Sequence, residues 1–352
     1  MSQQVMTHQP VIEATKTITL GTALNEGLRQ AMSDDESVLL IGEDVGRLGG
    51  VFRVTDGLQA EFGPDRVIDS LLAESSIVGV AIGLAMRGFR PVCEIQFDGF
   101  VYPAFNQIVS QLAKMRARTQ GRVALPVTIR IPVGGGIGAV EHHSESNEAY
   151  FCHTAGLRVV ACASPSDAYT MIQQSIASDD PVIFFEPKRR YWDKAEVKTG
   201  PVPNDALELN RGRVVRPGSD VTVVAYGPTV RLALDAATVA ESEGRSLEVI
   251  DLRSLSPIDT GLLTDSVTRT GHAVVVHEAT TFCGLGAEIA ASITESCFYS
   301  LEAPVQRVGA WNTPYPPSKV EAQYLPGLDR LLDAVDMVLG GAAVQREGAA
   351  PQ

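Results

Sequence analysis

The feature that most constrains this chain is an alternation: short apolar runs of strand length are separated by segments of helical period. In the first half the runs are Val38 to Ile41, Arg66 to Ile68, Pro91 to Ile95, Val127 to Ile131, Leu157 to Ala161 and Val182 to Phe185. Helices are expected between them, near 22–32, 75–87, 102–117 and 166–178. The runs are continuous rather than apolar at every second position, as strands covered on both faces require. Such alternation builds a parallel sheet with helices on its faces. A charged, proline-rich stretch from Glu186 to Asp220 interrupts it. It then restarts with strands at Val221 to Ala225, Leu247 to Leu252, Ala273 to His277 and Pro304 to Val308, and with helices over 229–243, 259–269, 286–297 and 328–339. The pattern predicts an α/β protein of two doubly wound domains: a tail at 1–16, a first domain at 17–190, a linker at 191–215, a second domain at 216–340 and a flexible tail at 341–352. With 352 residues, each domain can bury its own core.

Charge narrows the function classes. Against 29 basic residues stand 42 acidic ones, a net charge of −13, which repels a nucleic-acid duplex or an anionic membrane. No stretch approaches the ~20 apolar residues of a membrane span; residues 124–140 come nearest and contain Arg130, two prolines and a glycine cluster. The first residues show no basic segment followed by an apolar one, so a cytoplasmic location is expected, with neither nucleic acid nor membrane as a partner. Cysteines at 93, 152, 162, 283 and 297 include no C-x-x-C pair and read as buried free thiols.

Ligands of open parallel sheets bind beyond the carboxyl ends of the strands, and three loops there carry chemistry. Leu72-Ala73-Glu74-Ser75-Ser76 opens a helix rich in small residues, suited to a crowded site or a subunit seam; Glu74 is equally readable as a solvated first-turn carboxylate. Gln96 to Phe105 gathers four aromatic rings in a chain that is only 6% aromatic, either to stack on a heterocycle or to fill a core. Gly134-Gly135-Gly136-Ile137-Gly138 leads to Glu141-His142-His143-Ser144-Glu145, a group fit for proton transfer near neutral pH. The glycine run is not a phosphate-cradling loop, because no G-K-[ST] follows it and no helix is expected there. Adjacent histidines also lack the spacing of zinc ligands on a helix.

These loops, in this order, resemble the beta subunit of the thiamine-diphosphate-dependent dehydrogenase component of 2-oxoacid dehydrogenase complexes. The resemblance rests on GEDVGRLGGVFRVTDGL at 42–58, the stretch from Phe62 to Phe97, HHSES at 142–146 and DPVIFFEPK at 180–188, and it extends over about 17–340. It implies a transketolase-like pyrimidine-binding domain followed by a transketolase C-terminal domain. FFEPK and EIQF-x-x-F-x-x-P-A-F resemble the branched-chain type more than the pyruvate type; pyruvate or acetoin is the alternative substrate. By the resemblance, Glu74 shares a proton with N1′ of the aminopyrimidine ring and Phe100 stacks on that ring. Leu72 and Gln96 line its pocket, and His143 acts near the reactive carbon in acylation of lipoamide. A potassium ion in some relatives corresponds here to Leu125, Val127, Thr128, Ser175, Ser178 and Asp180.

The family anchors the diphosphate through Mg²⁺ on a G-D-G motif, and no G-D-G occurs in these residues. The resemblance therefore implies that an alpha subunit holds the Mg²⁺ and the diphosphate, in an α₂β₂ assembly that serves a lipoyl-bearing dihydrolipoyl acyltransferase. The acidic second domain is the expected docking surface. Two other readings stand beside this one: a fragment of a self-contained transketolase or deoxyxylulose-phosphate synthase, and a non-catalytic nucleotide-binding or scaffold subunit.

Overall fold

The structure is a computed structural model that describes residues 14–200, 202 and 208–340; the tail expected at 341–352 lies outside the described residues. The chain enters through β1 (Ala14–Thr19) and α1 (Leu20–Asp34). Thr19 caps that helix by accepting the Thr22 N–H at 3.1 Å. Leu20, Ala23, Leu24, Leu28 and Met32, three or four residues apart, bury one face of it. There follow β2 (Val38–Gly42), α2 (Leu58–Phe62), β3 (Val67–Asp69), α3 (Glu74–Met86) and β4 (Arg90–Glu94). The single helix expected over 102–117 is instead a 3₁₀ segment at Asp98–Ala104, a π-helical segment at Gln107–Leu112 and α4 (Ala113–Arg118). Pro103 bears on the first of these, since it lacks an N–H and its ring crowds the preceding turn, which disfavours the α-helical form there. The first domain continues with β5 (Thr128–Val133), α5 (Glu148–Cys152), β6 (Arg158–Ala161), α6 (Pro165–Ala177) and β7 (Val182–Pro187).

The stretch expected as a linker at 191–215 carries strands. β8 (Lys194–Thr199) pairs antiparallel with β1, Ala14 opposite Thr199 and Thr19 opposite Lys194, so the expected N-terminal tail also ends inside a strand. β9 (Arg213–Arg216) forms an edge of the second sheet. Both are short and largely exposed, and the lysines and glutamate of β8 read as solvated chain. Beyond them come β10 (Val221–Ala225), α7 (Thr229–Ser242), β11 (Leu247–Asp251), β12 (Ser254–Ser256) and α8 (Thr260–Thr270). The last elements are β13 (Ala273–Thr280), α9 (Leu285–Cys297), β14 (Gln306–Ala310), α10 (Glu321–Tyr324) and α11 (Leu328–Val338).

The first sheet has the order β12-β6-β7-β5-β4-β2-β3 and is parallel except for β12, which the second half of the chain lends to its edge. The second has the order β14-β13-β10-β11-β9, with only β9 antiparallel. One face of the first sheet packs on α1 and α6, and one face of the second packs on α7 and α11. The two remaining faces share a continuous apolar core in which Ile129 and Phe185 of the first domain join Val224, Ile250 and Leu285 of the second. The domains are therefore fused through their interiors. Cys93, Cys162 and Cys297 are buried as expected, Cys152 is partly so, and Cys283 is exposed in a loop at positive φ. Among the described residues, no helix is long and apolar enough to cross a membrane.

Candidate active site

After β3, at one edge of its sheet, the chain crosses over β2 to form β4 on the other side. Such a reversal leaves a crevice beyond the carboxyl ends of the two strands, where open α/β sheets bind ligands. Glu43 follows β2 there, Gln96 and Phe97 follow β4, and Glu74 opens α3 from the loop after β3. Glu74 is 8% exposed. Gln96 donates from Nε2 to the Glu43 carbonyl at 3.5 Å and to Asp44 Oδ2 at 3.4 Å. Burial raises the pKa of Glu43, and the charges of Glu74 and Asp44 add to the effect. Glu43 Oε1 is buried with no hydrogen-bond partner, a costly state that a polar ligand would relieve.

His143 comes to the same place from β5, on a 3₁₀ turn at Glu141–His143. Its ring centroid lies 4.2 Å from Phe97 and 5.1 Å from Phe100, edge to face, and 4.4 Å from His142. Burial lowers its pKa, with His142 and Lys188 adding positive charge nearby. Its Nδ1 is buried without a partner. The imidazole is thus held neutral near pH 7, able to take up or pass on a proton. The structure brings Glu74, Gln96, Phe100 and His143 to one end of the sheet. Leu72 lies beside them with its side chain turned to solvent, 83% exposed, next to Leu71 at 88%.

Beneath the aromatic group lies a pair that the sequence did not reveal. Lys188 follows β7 and is completely buried; it donates to Asp98 and, at 3.2 Å, to the Pro132 carbonyl. Its Nζ also sits 5.6 Å from the centre of the Phe97 ring. One ammonium therefore ties the loop bearing Phe97 and Phe100 to the end of the strand that leads to His143. Burial pushes Asp98 up to about 7 against the pull of Lys188, and it lowers Lys188 against the pull of Asp98. Lys188 was hidden in an unremarkable basic run, and its one signal is its place directly after a buried strand.

The residues assigned to potassium also converge, but they do not fit a cation bound through Asp180. That carboxylate pairs with Arg116 and, at 3.3 Å, with Arg158. The carbonyls of Leu125, Val127 and Ser175 accept N–H groups of the chain, and that of Ser178 accepts from Arg90 at 3.2 Å. Thr128 begins β5 and is buried. No group of three or more His, Cys, Asp or Glu side chains that could hold a metal ion occurs among the described residues.

Two open parallel sheets fused through one core, with a carboxylate, an amide, a ring face and an imidazole at the first sheet's crevice, define a protein of the transketolase class. Residues 16–193 match the transketolase pyrimidine-binding domain and residues 210–331 the transketolase C-terminal domain. A split-gene transketolase, solved as an inactive beta4 tetramer, shares the fold with a TM-score of 0.73 at 24% identity, over 92% of this chain and 99% of that one. Among curated relatives, the pyruvate dehydrogenase E1 component subunit beta of Leifsonia xyli is 60% identical over 92% of this chain and 95% of its own. The 3-methyl-2-oxobutanoate dehydrogenase subunit beta of Mycobacterium tuberculosis is 54% identical over 94% of each chain. The 2-oxoisovalerate dehydrogenase subunit beta of Pseudomonas aeruginosa is 42% identical over 94% of this chain and 98% of its own. This chain belongs to the family of 2-oxoacid dehydrogenase E1 beta subunits.

Proposed function

We propose that the chain supplies the pyrimidine half of a thiamine-diphosphate site, completed by an alpha subunit in an α₂β₂ assembly. The assembly decarboxylates a branched-chain 2-oxoacid in the cytoplasm and passes the acyl group to the lipoyl arm of a dihydrolipoyl acyltransferase. The observation that carries this reading is the gathering of Glu74, Gln96, Phe100 and His143 at a crevice whose lip, Leu71 and Leu72, is apolar and exposed. Two adjacent leucines in water suit burial by a partner. When bound, thiamine diphosphate supplies the electron sink for loss of CO₂. Glu74 would hold the proton at the pyrimidine N1′, Phe100 would offer its ring face and Gln96 its amide. His143 would move a proton where the acyl group is transferred. The diphosphate and its Mg²⁺ fall to the alpha subunit, in keeping with the missing G-D-G and the oxygen ligands that Mg²⁺ needs.

The branched-chain assignment draws on the FFEPK and EIQF stretches and on the two relatives named for branched-chain acids. The pyruvate reading is favoured by the 60% identical relative. Side-by-side kinetics of the reconstituted tetramer separate them: kcat/KM is expected to be higher for 3-methyl-2-oxobutanoate, and a preference for pyruvate overturns that choice. Glu74→Gln is expected to lower decarboxylation about 10²–10⁴-fold with the tetramer intact; unchanged turnover removes Glu74 from the reaction.

A further inference from the structure

The glycine run is not explained by the crevice. Its loop is closed at the base, where the Gly134 N–H donates to the Glu145 carbonyl at 3.0 Å, and His143 lies near the end of the enclosed stretch. The 3₁₀ turn that carries His143 buries none of its residues, and Val140, Glu141 and His142 are about half or more exposed. The His143 end of the loop packs on the first domain, its ring against Phe97 and Phe100 and the His142 backbone close upon Gly99. The glycine end is held by the second domain. Glu278, near the end of β13 and 4% exposed, accepts the Gly135 N–H; Glu321, which opens α10, accepts the Gly136 N–H at 2.9 Å and the Tyr315 hydroxyl.

Contact disfavours a side chain at all three glycines, and conformation does so at two of them. Gly134 and Gly136 have φ of +89° and +81°. A Cβ on Gly134 would lie 2.8 Å from Glu278 Oε1, one on Gly135 only 1.8 Å from the Tyr315 hydroxyl oxygen, and one on Gly136 2.8 Å from Arg189 Cδ. Arg189 in turn pairs with Glu278 at 2.9 Å. Successive amide N–H groups in such a bent backbone form a cradle for anions. Here the cradle is filled by carboxylates of the protein itself.

We propose that Glu278 and Glu321 are positioning residues, and that the second domain sets the place of His143 by clamping the Gly135 and Gly136 amides. This rests on the acyl-transfer role given to His143 above, so the test has a structural arm and a kinetic arm. In the structural arm, amide hydrogen exchange of residues 134–143 is followed in the purified chain. Exchange is expected to rise at least about tenfold in Glu321→Ala, a half-exposed site whose loss spares the core, and in Glu278→Ala, while α1 and α6 stay protected. Glu278→Gln keeps an acceptor oxygen and should retain most of the protection. In the kinetic arm, with the alpha subunit present, both alanine variants should lose about tenfold or more in acylation of lipoamide, with decarboxylation to an artificial acceptor within about twofold of the parent. Unchanged exchange in both alanine variants overturns the clamp. Increased exchange with the same ratio of the two activities as the parent overturns the positioning role. If the parent tetramer acylates no lipoamide, the functional reading fails and the positioning role falls with it, while exchange still decides the clamp.

Discussion

At the carboxyl ends of β2 and β4 the first sheet opens onto Glu43, Gln96 and the exposed Leu72. At the ends of β10 and β13 the second sheet closes on Tyr226, His277 and Glu278. Both sheets are open and mostly parallel, and each reverses its strand order at this point, between β2 and β4 in one and between β10 and β13 in the other. In the second, Tyr226 is buried and donates to the buried Glu148 of the first domain at 2.6 Å. His277 lies parallel to the Tyr226 ring and is fully buried. Gly284, Gly286 and Gly309 surround that imidazole so closely that a Cβ on any of them would come within 2.5–3.0 Å of it. Around His277 the crevice is filled by side chains and used for docking, while Glu278 beside it also lines a cavity with Tyr102, Glu145 and Tyr315. A doubly wound sheet provides the place for a site; the side chains after its strands decide whether the place stays open.

The largest effect should come from removing the support beneath the open end. Lys188→Met leaves Asp98 buried and unpaired, which is expected to cost about 3–5 kcal/mol in chemical denaturation. Asp98 sits at about 7, raised by burial from an ordinary 3.8. Without the Lys188 charge that lowers it, Asp98 is raised further, so the folded variant keeps a proton that the unfolded chain releases, and its deficit against the parent should be larger at pH 8 than at pH 6. A loss under 1 kcal/mol would mean that the open end stands without this pair.

The closed end should show itself in acid. Burial drives His277 down to about 4, against about 6.5 in the unfolded chain. The neutral imidazole's contribution is present above about 6.5 and is lost as pH falls towards 4, by roughly 3 kcal/mol in all. The stability gap between the parent and His277→Gln should therefore narrow between pH 7 and pH 4.5. A constant gap would show that this end is not closed to water.

Glycines at the two ends sharpen the contrast. Gly286→Ala forces a methyl group to within 2.5 Å of His277 Nε2 and should cost about 1–3 kcal/mol. Gly83→Ala on α3, where an added Cβ meets nothing within 4 Å, should leave the isolated chain about 0.5–1 kcal/mol more stable through helix propensity. Thermal melts of the two variants compare them directly; equal shifts would erase the distinction.

Much of this was legible beforehand. Expected strands such as Val38 to Ile41 and Val221 to Ala225 coincide with β2 and β10 to within a residue, because a doubly covered strand must be apolar along its whole length. Strands β1 and β8 escaped notice because they form an exposed ribbon rather than part of either core sheet. β12 escaped because three residues after a left-handed Arg253 carry no periodicity. Glu74, Gln96, Phe100 and His143, which the structure gathers at one end of the sheet, are singled out as candidates by their place after strands together with a family resemblance. Asp98 and Lys188 were missed, since a buried ion pair between positions 90 residues apart leaves no local pattern.

The sequence by itself determined the class of fold, the two domains and the loops where the candidate site lies, because strand and helix periods and the residues that follow a strand are local properties. Only the tertiary structure decided which switch point stays open and what the glycine run receives. Its amides meet carboxylates 143 and 185 residues further along the chain, and contacts at that separation exist only once the two domains have fused around a common core.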